Sequence, residues 1–250
     1  MSDAFLEIRN LYKSYGGITA TDHVDLDVRQ SELHAVIGPN GAGKTTLICQ
    51  LSGEITPDGG TIRFDGRDMT HMPAYKRSLL GLARSFQITS LMLDMTVLEN
   101  VSLAVQAHAG HSFRFWRAAR KDPALTGPAM AALEAVGLKD RANDIAKAMS
   151  HGEHRQLEIA MALATNPVLL LLDEPMAGMG AEESRRMVEI LHSLKSEKTI
   201  LLIEHDMDVV FALADRISVL VYGRIIATGT PEEIRNDEAV RRSYLGDKVA

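Results

Sequence analysis

The sequence is poor in the features that mark secreted, membrane-spanning and nucleic-acid-binding proteins. It has one cysteine, Cys49, so no disulfide can form within the chain, and we expect a reducing, cytosolic setting. No apolar run is long enough to span a bilayer, and Met1 to Glu7 lacks the basic and apolar regions of an export signal. A formal net charge of −6 argues against a general nucleic-acid binder. We expect any role at a membrane to depend on a partner protein.

Internal repeats are also lacking. The sequence has no glycine-rich or proline-rich linker apart from the single pair Gly127-Pro128. The 250 residues can form one substantial α/β core with room for an inserted subdomain. The hydrophobic content of 46% is that of an ordinary globular protein.

The most informative motif is a glycine-rich loop that follows the apolar run Leu33 to Ile37. The loop reads Gly38-Pro39-Asn40-Gly41-Ala42-Gly43-Lys44-Thr45. It fits the phosphate-binding loop, in which backbone N–H groups surround phosphate oxygens, Lys44 supplies a positive charge and the Thr45 hydroxyl can ligate Mg²⁺. The segment Thr46 to Leu51 predicts a helix whose N-terminus points at the anion. The sequence therefore predicts a nucleoside triphosphate site, and a plain turn between strand and helix is the alternative.

Strand patterns lie on both sides of a helical middle. The strand segments are Phe5 to Asn10, Val24 to Val28, Leu33 to Ile37, Thr61 to Phe64, Val168 to Leu172, Thr199 to Ile203 and Ile217 to Tyr222. Between Thr96 and Ala164 the pattern is helical, and Thr96-x-x-Glu99 forms a capping box. These patterns predict one sheet core, formed by 1–87 and 165–250, interrupted by a helical subdomain at 88–164.

Two carboxylates, Asp173 and Glu174, end the apolar run Val168 to Leu172. Parallel strands carry ligands at their carboxyl ends, so both acids should meet the phosphate loop there. We expect Asp173 to hold Mg²⁺ and Glu174 to orient and deprotonate the attacking water. The alternative is a helix N-cap at Asp173 with Glu174 in the first turn.

A further element, Ser150-His151-Gly152-Glu153, precedes the helical run Leu157 to Ala164. Ser150 and Glu153 form a capping box, which can begin any helix. A capped N-terminus with a glycine is also an anion site, so the same residues could hold a γ-phosphate delivered by another subunit.

The order of these elements, ending with Glu204-His205, resembles the ATP-binding subunit of an ABC transporter over essentially the whole chain. Within that superfamily it most closely resembles the ATPases of branched-chain amino acid and related amide importers. The stretches that carry the resemblance are Met149 to Ala160, Asp173 to Met179, Leu202 to Met207 and Arg242 to Gly246. The resemblance implies an α/β, RecA-like phosphate-loop NTPase core with an N-terminal antiparallel β part and an inserted α-helical subdomain.

The resemblance also implies roles for single residues. Tyr15 would stack on adenine, although a lone tyrosine in a strand is more often simply packed. Gln87 would touch Mg²⁺ or the lytic water, and His205 would contact the γ-phosphate. Ser150, Gly152 and Glu153 would serve a neighbouring chain's nucleotide.

Two positions depart from the commonest family pattern. His151 stands where glycine is usual, and Ala177-Gly178-Met179-Gly180 lacks the aspartate that often ends this loop. Both departures resemble the amino acid importer subgroup.

The implied assembly has two ATPase subunits, alike or different, which sandwich ATP and Mg²⁺ head to tail. It also has integral permease subunits and, indirectly, an extracytoplasmic solute-binding protein, with the ATPases at the cytoplasmic face of the inner membrane. No nucleic acid is expected. A urea or amide importer, a lipid or lipopolysaccharide transporter, and a soluble ATPase acting on ribosomes or DNA are the alternatives.

The basic aromatic segment His108 to Gly127 predicts a helix covering its own subdomain, with membrane contact as the alternative.

Overall fold

The computed structural model describes residues 4–85, 91–109 and 122–245. The strands are β1 (Ala4–Tyr15), β2 (Ile18–Arg29), β3 (Leu33–Ile37), β4 (Gly59–Phe64), β5 (Arg67–Asp68), β6 (Leu82–Arg84), β7 (Leu169–Asp173), β8 (Thr199–Ile203), β9 (Arg216–Val221) and β10 (Arg224–Gly229). The α-helices are α1 (Lys44–Ser52), α2 (Ala74–Leu79), α3 (Val97–Ala109), α4 (Pro123–Ala135), α5 (His151–Leu163), α6 (Ala181–Leu194), α7 (Met207–Leu213), α8 (Pro231–Asn236) and α9 (Glu238–Val240). Short 3₁₀ turns at Lys139–Arg141 and Ala146–Ala148 precede α5, and a π-turn at Arg241–Leu245 follows α9. Gln87 and most of the basic aromatic segment lie outside the described residues.

The strands form two sheets. The first is antiparallel, with the order β2-β1-β4-β5. The second has the order β10-β9-β3-β8-β7-β6, in which β10 is antiparallel and its five other strands are parallel. The helices α3, α4 and α5 lie between β6 and β7 in the chain. The predicted α/β class, with an antiparallel N-terminal part and an inserted helical part, is confirmed.

The strand β1 is twice as long as the sequence pattern predicted. The predicted strand was Phe5 to Asn10, and asparagine is a residue type that is typical of turns. Asn10 instead has a φ of 49°, and the pairing of β1 with β2 shifts register between Ile8 and Leu11. Asparagine tolerates the left-handed region, so it forms a bulge and the strand continues to Tyr15.

The parallel sheet is covered on both faces, and its central strands are therefore apolar throughout. In β7, Leu170 and Leu172 pack with the helices α3 to α6, whereas Leu169 and Leu171 pack with α1 and the antiparallel sheet. All four side chains are fully buried. The apolar run that predicted a buried strand thus serves two hydrophobic layers, because successive strand residues point to opposite faces.

Caps define the starts of the helices around the sheet. The predicted capping boxes at Thr96 and Ser150 are both present, with Glu99 and Glu153 as the reciprocal partners. The helix α6 buries residues at helical spacing, namely Met187, Ile190, Leu191 and Leu194. No helix in the described ranges is both long enough and apolar enough to cross a bilayer.

Arg77, on α2, is buried to 1% exposure and binds the end of α1. Its Nη1 donates to the carbonyl oxygens of Gln50 (2.7 Å) and Leu51 (2.8 Å), in the last turn of that helix. Nε and Nη2 donate to the carbonyls of Met72 and Thr70. Burial lowers the pKa of Arg77 to about 10. The guanidinium thus adds donors at the end of α1, where the regular hydrogen bonds of the helix stop.

We predict that Arg77→Met lowers the free energy of unfolding by about 2–4 kcal/mol, because four backbone carbonyl oxygens lose the buried guanidinium as a donor. Chemical denaturation measures the change. Lys76→Met, on the exposed side of the same helix, is the control and should change stability by less than about 0.5 kcal/mol. Equal losses in the two variants would contradict the role assigned to Arg77.

Candidate functional site

The phosphate loop, residues 38–45, joins β3 to α1 and is packed closely on its neighbours. A Cβ at Gly38 would lie 2.0 Å from the carbonyl oxygen of Leu220 on β9. Gly43 has a φ of 105°, and a Cβ there would lie 2.0 Å from the carbonyl oxygen of Ala20 on β2. Only glycine fits at these two positions, because any side chain would collide with backbone. The loop is therefore packed between the two sheets and leads directly into α1.

Lys44 is the first residue of α1 and is 7% exposed. Its Nζ donates to the carbonyl oxygens of Gly38 (2.7 Å) and Pro39 (3.1 Å). Burial lowers the pKa of Lys44, and the nearby carboxylates of Glu174 and Asp173 oppose that shift. The loop therefore carries a desolvated ammonium that faces two acids.

Asp173 is the last residue of β7 and is 2% exposed. Its Oδ2 lies 3.3 Å from Nη2 of Arg84, at the end of the neighbouring strand β6. Burial raises the pKa of Asp173, and the Arg84 guanidinium opposes the rise. Arg84 also pairs with Glu54 at 2.7 Å, so it ties the end of the sheet to the residues after α1.

Glu174 directly follows β7 in a left-handed conformation, with a φ of 48°. Its N–H donates to the carbonyl oxygen of Ile203, at the end of β8 (2.9 Å). A non-glycine residue in this region is uncommon, and such strain is found at functional sites. Oε1 of Glu174 lies 3.7 Å from Nδ1 of His205, whose side chain is 57% exposed. The two residues predicted to be catalytic are thus neighbours on the same edge of the sheet.

Glu204 links the segment that follows Glu174 to the segment that carries His205. It is 1% exposed, and its Oε1 accepts from the N–H of Met176, while Oε2 accepts from the N–H of His205. Burial raises the pKa of Glu204. The buried carboxylate therefore fixes the backbone after Glu174 against the backbone that presents His205.

Tyr15 ends β1 and is 48% exposed, with Nζ of Lys13 5.5 Å from its ring centroid. It pairs with Ile18, the first residue of β2. Ala20, two residues further along β2, is the one that Gly43 approaches. The exposed ring therefore stands at the hairpin end nearest the phosphate loop.

Ser150, Gly152 and Glu153 form a second group at the start of α5. The Glu153 carboxylate accepts from the N–H of Ser150 at 2.8 Å and pairs with Arg141. In the described part of the chain, no hydrogen bond or ion pair joins this group to Lys44 or Glu174. Within one chain, the predicted residues therefore divide into two clusters.

His151, the first departure from the family pattern, contacts the loop in which the second departure lies. Nε2 of His151 lies 3.1 Å from the carbonyl oxygen of Ala177, in the loop that follows Glu174. A Cβ at Gly178 would lie 3.2 Å from the same nitrogen. His151 therefore connects the start of α5 to the loop of the first cluster.

Sequence reasoning missed three residues of these clusters. Arg84 and Glu204 are buried and paired with Asp173 and the His205 backbone, and Glu183 on α6 binds Ser150. No motif signalled Arg84 or Glu183, since each is an ordinary charged residue until the fold brings its partner near. Glu204 could have been found, because a carboxylate at the end of an apolar strand is rarely buried without a role.

The oxygen ligands near the phosphate loop suit Mg²⁺. In the described residues, no group of three or more His, Cys, Asp or Glu side chains could hold a metal by itself. Mg²⁺ is commonly held by one or two protein oxygens together with substrate phosphates, and the Asp173 carboxylate and Thr45 hydroxyl are ligands of that kind. The arrangement therefore fits a metal that arrives with nucleotide, although Gln87 lies outside the described residues.

Two family models match the chain. The model described as ABC transporter covers residues 21–177, which include the phosphate loop, the start of α5 and both acids. The model described as branched-chain amino acid ATP-binding cassette transporter covers residues 224–250.

Curated proteins and a solved structure match the full length. The high-affinity branched-chain amino acid transport ATP-binding protein LivG of Salmonella typhimurium is 40% identical, over 99% of this chain and 100% of its own. The lipopolysaccharide export system ATP-binding protein LptB of Haemophilus influenzae is 33% identical, over 98% of each chain. The ADP conformation of MJ1267, an ATP-binding cassette of an ABC transporter, is 29% identical, covering 98% of this chain and 100% of that one, with a TM-score of 0.86.

The likeness extends over both clusters and both sheets, and it confirms the resemblance drawn from the motifs, including that to the branched-chain amino acid importer ATPases. Because the matched family and the fold agree from end to end, the chain belongs to the ATP-binding cassette family of ABC transporters and is one of its nucleotide-binding ATPases.

Proposed function

We propose that this chain is the ATP-hydrolysing subunit of a membrane importer for branched-chain amino acids or related small solutes. The observation that carries the proposal is the end-to-end likeness to LivG at 40% identity. The separate match of residues 224–250 to a branched-chain cassette model supports it.

In the proposed site, the phosphate loop residues Gly38 to Thr46 bind the triphosphate, and Tyr15 stacks on the adenine. Lys44 is already desolvated among carbonyl oxygens, so it loses little hydration when it meets phosphate. Asp173 and Thr45, with Gln87, hold Mg²⁺, which neutralises phosphate charge when bound.

Glu174 is the general base for the attacking water, and His205 contacts the γ-phosphate. The 3.7 Å between their side chains supports a shared position beside that phosphate. Backbone bonds from Glu174 to Ile203, and from Met176 and His205 to Glu204, support a rigid arrangement. Such an arrangement needs little reorganisation when the nucleotide binds.

Completion of the site requires a second ATPase subunit. The donors of Ser150 and Gly152 belong to a cluster separate from Lys44 and Glu174 in the same chain, and a helix N-terminus suits an anion. We infer that they bind the nucleotide of the neighbouring subunit. ATP then holds two subunits head to tail, and loss of the γ-phosphate releases them.

Permease subunits at the cytoplasmic face of the inner membrane are the proposed membrane partners, and a solute-binding protein delivers the solute. A mainly apolar cavity of about 350 Å³ between α2, α3 and α5 supports the permease contact. Tyr75, 65% exposed, stands at this cavity, and Arg84 lines it. Arg84 also binds Asp173. A partner bound in this cavity would therefore contact Arg84, which in turn contacts the proposed metal ligand.

The solute is tested by transport. Vesicles rebuilt with the native permease and solute-binding partners should take up labelled leucine when ATP is inside, and should not take up labelled urea. Uptake of urea alone would assign the chain to an amide importer. Lipopolysaccharide extraction by the native complex without leucine uptake would favour the function that LptB's description carries.

We predict that Lys44→Ala weakens ATP binding by roughly 10- to 100-fold, the value of a hydrogen bond between charged groups. Titration of the isolated subunit with a fluorescent ATP analogue measures the affinity. Lys139→Ala removes an exposed lysine between α4 and α5 and should leave the affinity unchanged. Unchanged affinity in Lys44→Ala would contradict its assigned contact.

We predict that Glu174→Gln binds ATP normally but lowers turnover by at least about 100-fold, because a general base contributes that much or more. The variant should accumulate as an ATP-bound dimer, which light scattering after size-exclusion chromatography detects. Glu197→Gln, an exposed substitution of the same kind after α6, should hydrolyse ATP at the parental rate. Turnover near the parental rate in Glu174→Gln would remove Glu174 from the role of base.

A further inference from the structure

A cavity of about 180 Å³ lies between the first turns of α5 and α6. The proposed function assigns the donors on its α5 side, Ser150 and Gly152, to a phosphate from another subunit. A carboxylate from the same chain already reaches those donors. Oε1 of Glu183 accepts from Oγ of Ser150 at 3.0 Å and from the N–H of Gly152 at 3.3 Å.

The contact depends on the absence of a side chain at residue 152. A Cβ on Gly152 would lie 2.5 Å from Cδ of Glu183 and 2.6 Å from its Oε1. Glycine at residue 152 therefore allows the carboxylate to approach, as well as any phosphate. The hydrogen bond from Ser150 makes the largest contribution to a lowered pKa of Glu183, and the hydrogen bond from the N–H of Gly180 lowers it further. The carboxyl group is therefore an anion at neutral pH.

Glu183 also has an attachment that does not depend on α5. Its Oε2 accepts from the N–H of Gly180, the residue that precedes the first turn of α6, at 3.2 Å. The side chain can therefore release Ser150 and Gly152 and keep its hydrogen bond to the N-terminus of its own helix.

We propose that Glu183 is an internal stand-in for the γ-phosphate, which holds Ser150 and Gly152 in place in the lone subunit and is displaced when a second subunit brings its nucleotide. The inference rests on the proposed two-subunit site. A hydroxyl and a backbone N–H at a helix N-terminus bind carboxylate and phosphate oxygens alike, so the two anions compete for the same donors. Closure of the dimer then exchanges one anion for another at each site, and the ATP needed for closure rises accordingly.

The test uses the full chain in the Glu174→Gln background, where ATP-bound dimers persist. Glu183→Gln keeps the shape of the side chain but removes its charge, so the displaced group binds the donors less tightly. We expect half-maximal dimer formation at an ATP concentration lower by roughly threefold to tenfold. The ATP affinity of the isolated subunit, set by the phosphate loop, should not change.

Glu182→Gln is the matched control, because Glu182 precedes Glu183, lines the same cavity and has no hydrogen bond to Ser150 or Gly152 among the described contacts. It should leave the ATP requirement within about twofold of the parent. Glu183→Asp, which keeps the charge but is one methylene shorter, should also lower the requirement, and it replaces Glu183→Gln if that variant melts early.

An unchanged or higher ATP requirement in folded Glu183→Gln, or an equal decrease in Glu182→Gln, would overturn the proposal. If the Glu174→Gln parent forms no ATP-dependent dimer, the two-subunit site itself is wrong, and the stand-in role falls with it. The parent and the variant thus report separately on the two claims.

Discussion

The parallel pairing of β3, β8 and β7 is the constraint on which the nucleotide site depends. In this sheet, Val36 pairs with Ile203, and Ile203 pairs with Asp173. Strands aligned in this way end at one edge, so the phosphate loop, Asp173 and Glu204 all emerge side by side. Residues separated by more than 150 positions in the chain are thereby brought within reach of one triphosphate.

Burial of charge at this edge would be costly without compensation. Each buried group has a partner: Lys44 donates to the loop carbonyls, Arg84 pairs with Asp173, and Glu204 accepts two backbone N–H groups. Burial lowers the pKa of Lys44 and raises the pKa values of Asp173 and Glu204, and the partners of these groups oppose the shifts. A site of this kind is electrostatically prepared for phosphate and metal, because its charges are already fixed and dehydrated.

The second cluster shows what the donors at the start of α5 contact within one subunit. Its donors lie at the start of α5, where Glu183 contacts them and His151 connects them to the loop after Glu174. In the common family pattern a glycine occupies position 151, and an aspartate ends the following loop. Here the larger histidine reaches the Ala177 carbonyl, and Gly178 leaves room for its ring. The first departure therefore contacts the loop that contains the second.

The sequence alone determined the class of fold, the phosphate loop, the two acids at the end of β7 and the two capping boxes at Thr96 and Ser150. These features are local, since each depends on residue types at fixed spacing along one segment. The bulge at Asn10 was not predictable, because the partner strand decides whether a turn-forming residue ends a strand or bends it.

Only the tertiary structure decided what the isolated charges do. Arg77, Arg84 and Glu183 belong to no motif, and their roles come from partners up to 89 positions away in the chain. The family resemblance already implied that Ser150, Gly152 and Glu153 stand apart from the rest of the site, and the fold shows which side chains each group contacts. A local pattern specifies a helix start or a loop, but which anion or cation meets it is set by the packing of segments distant in the chain.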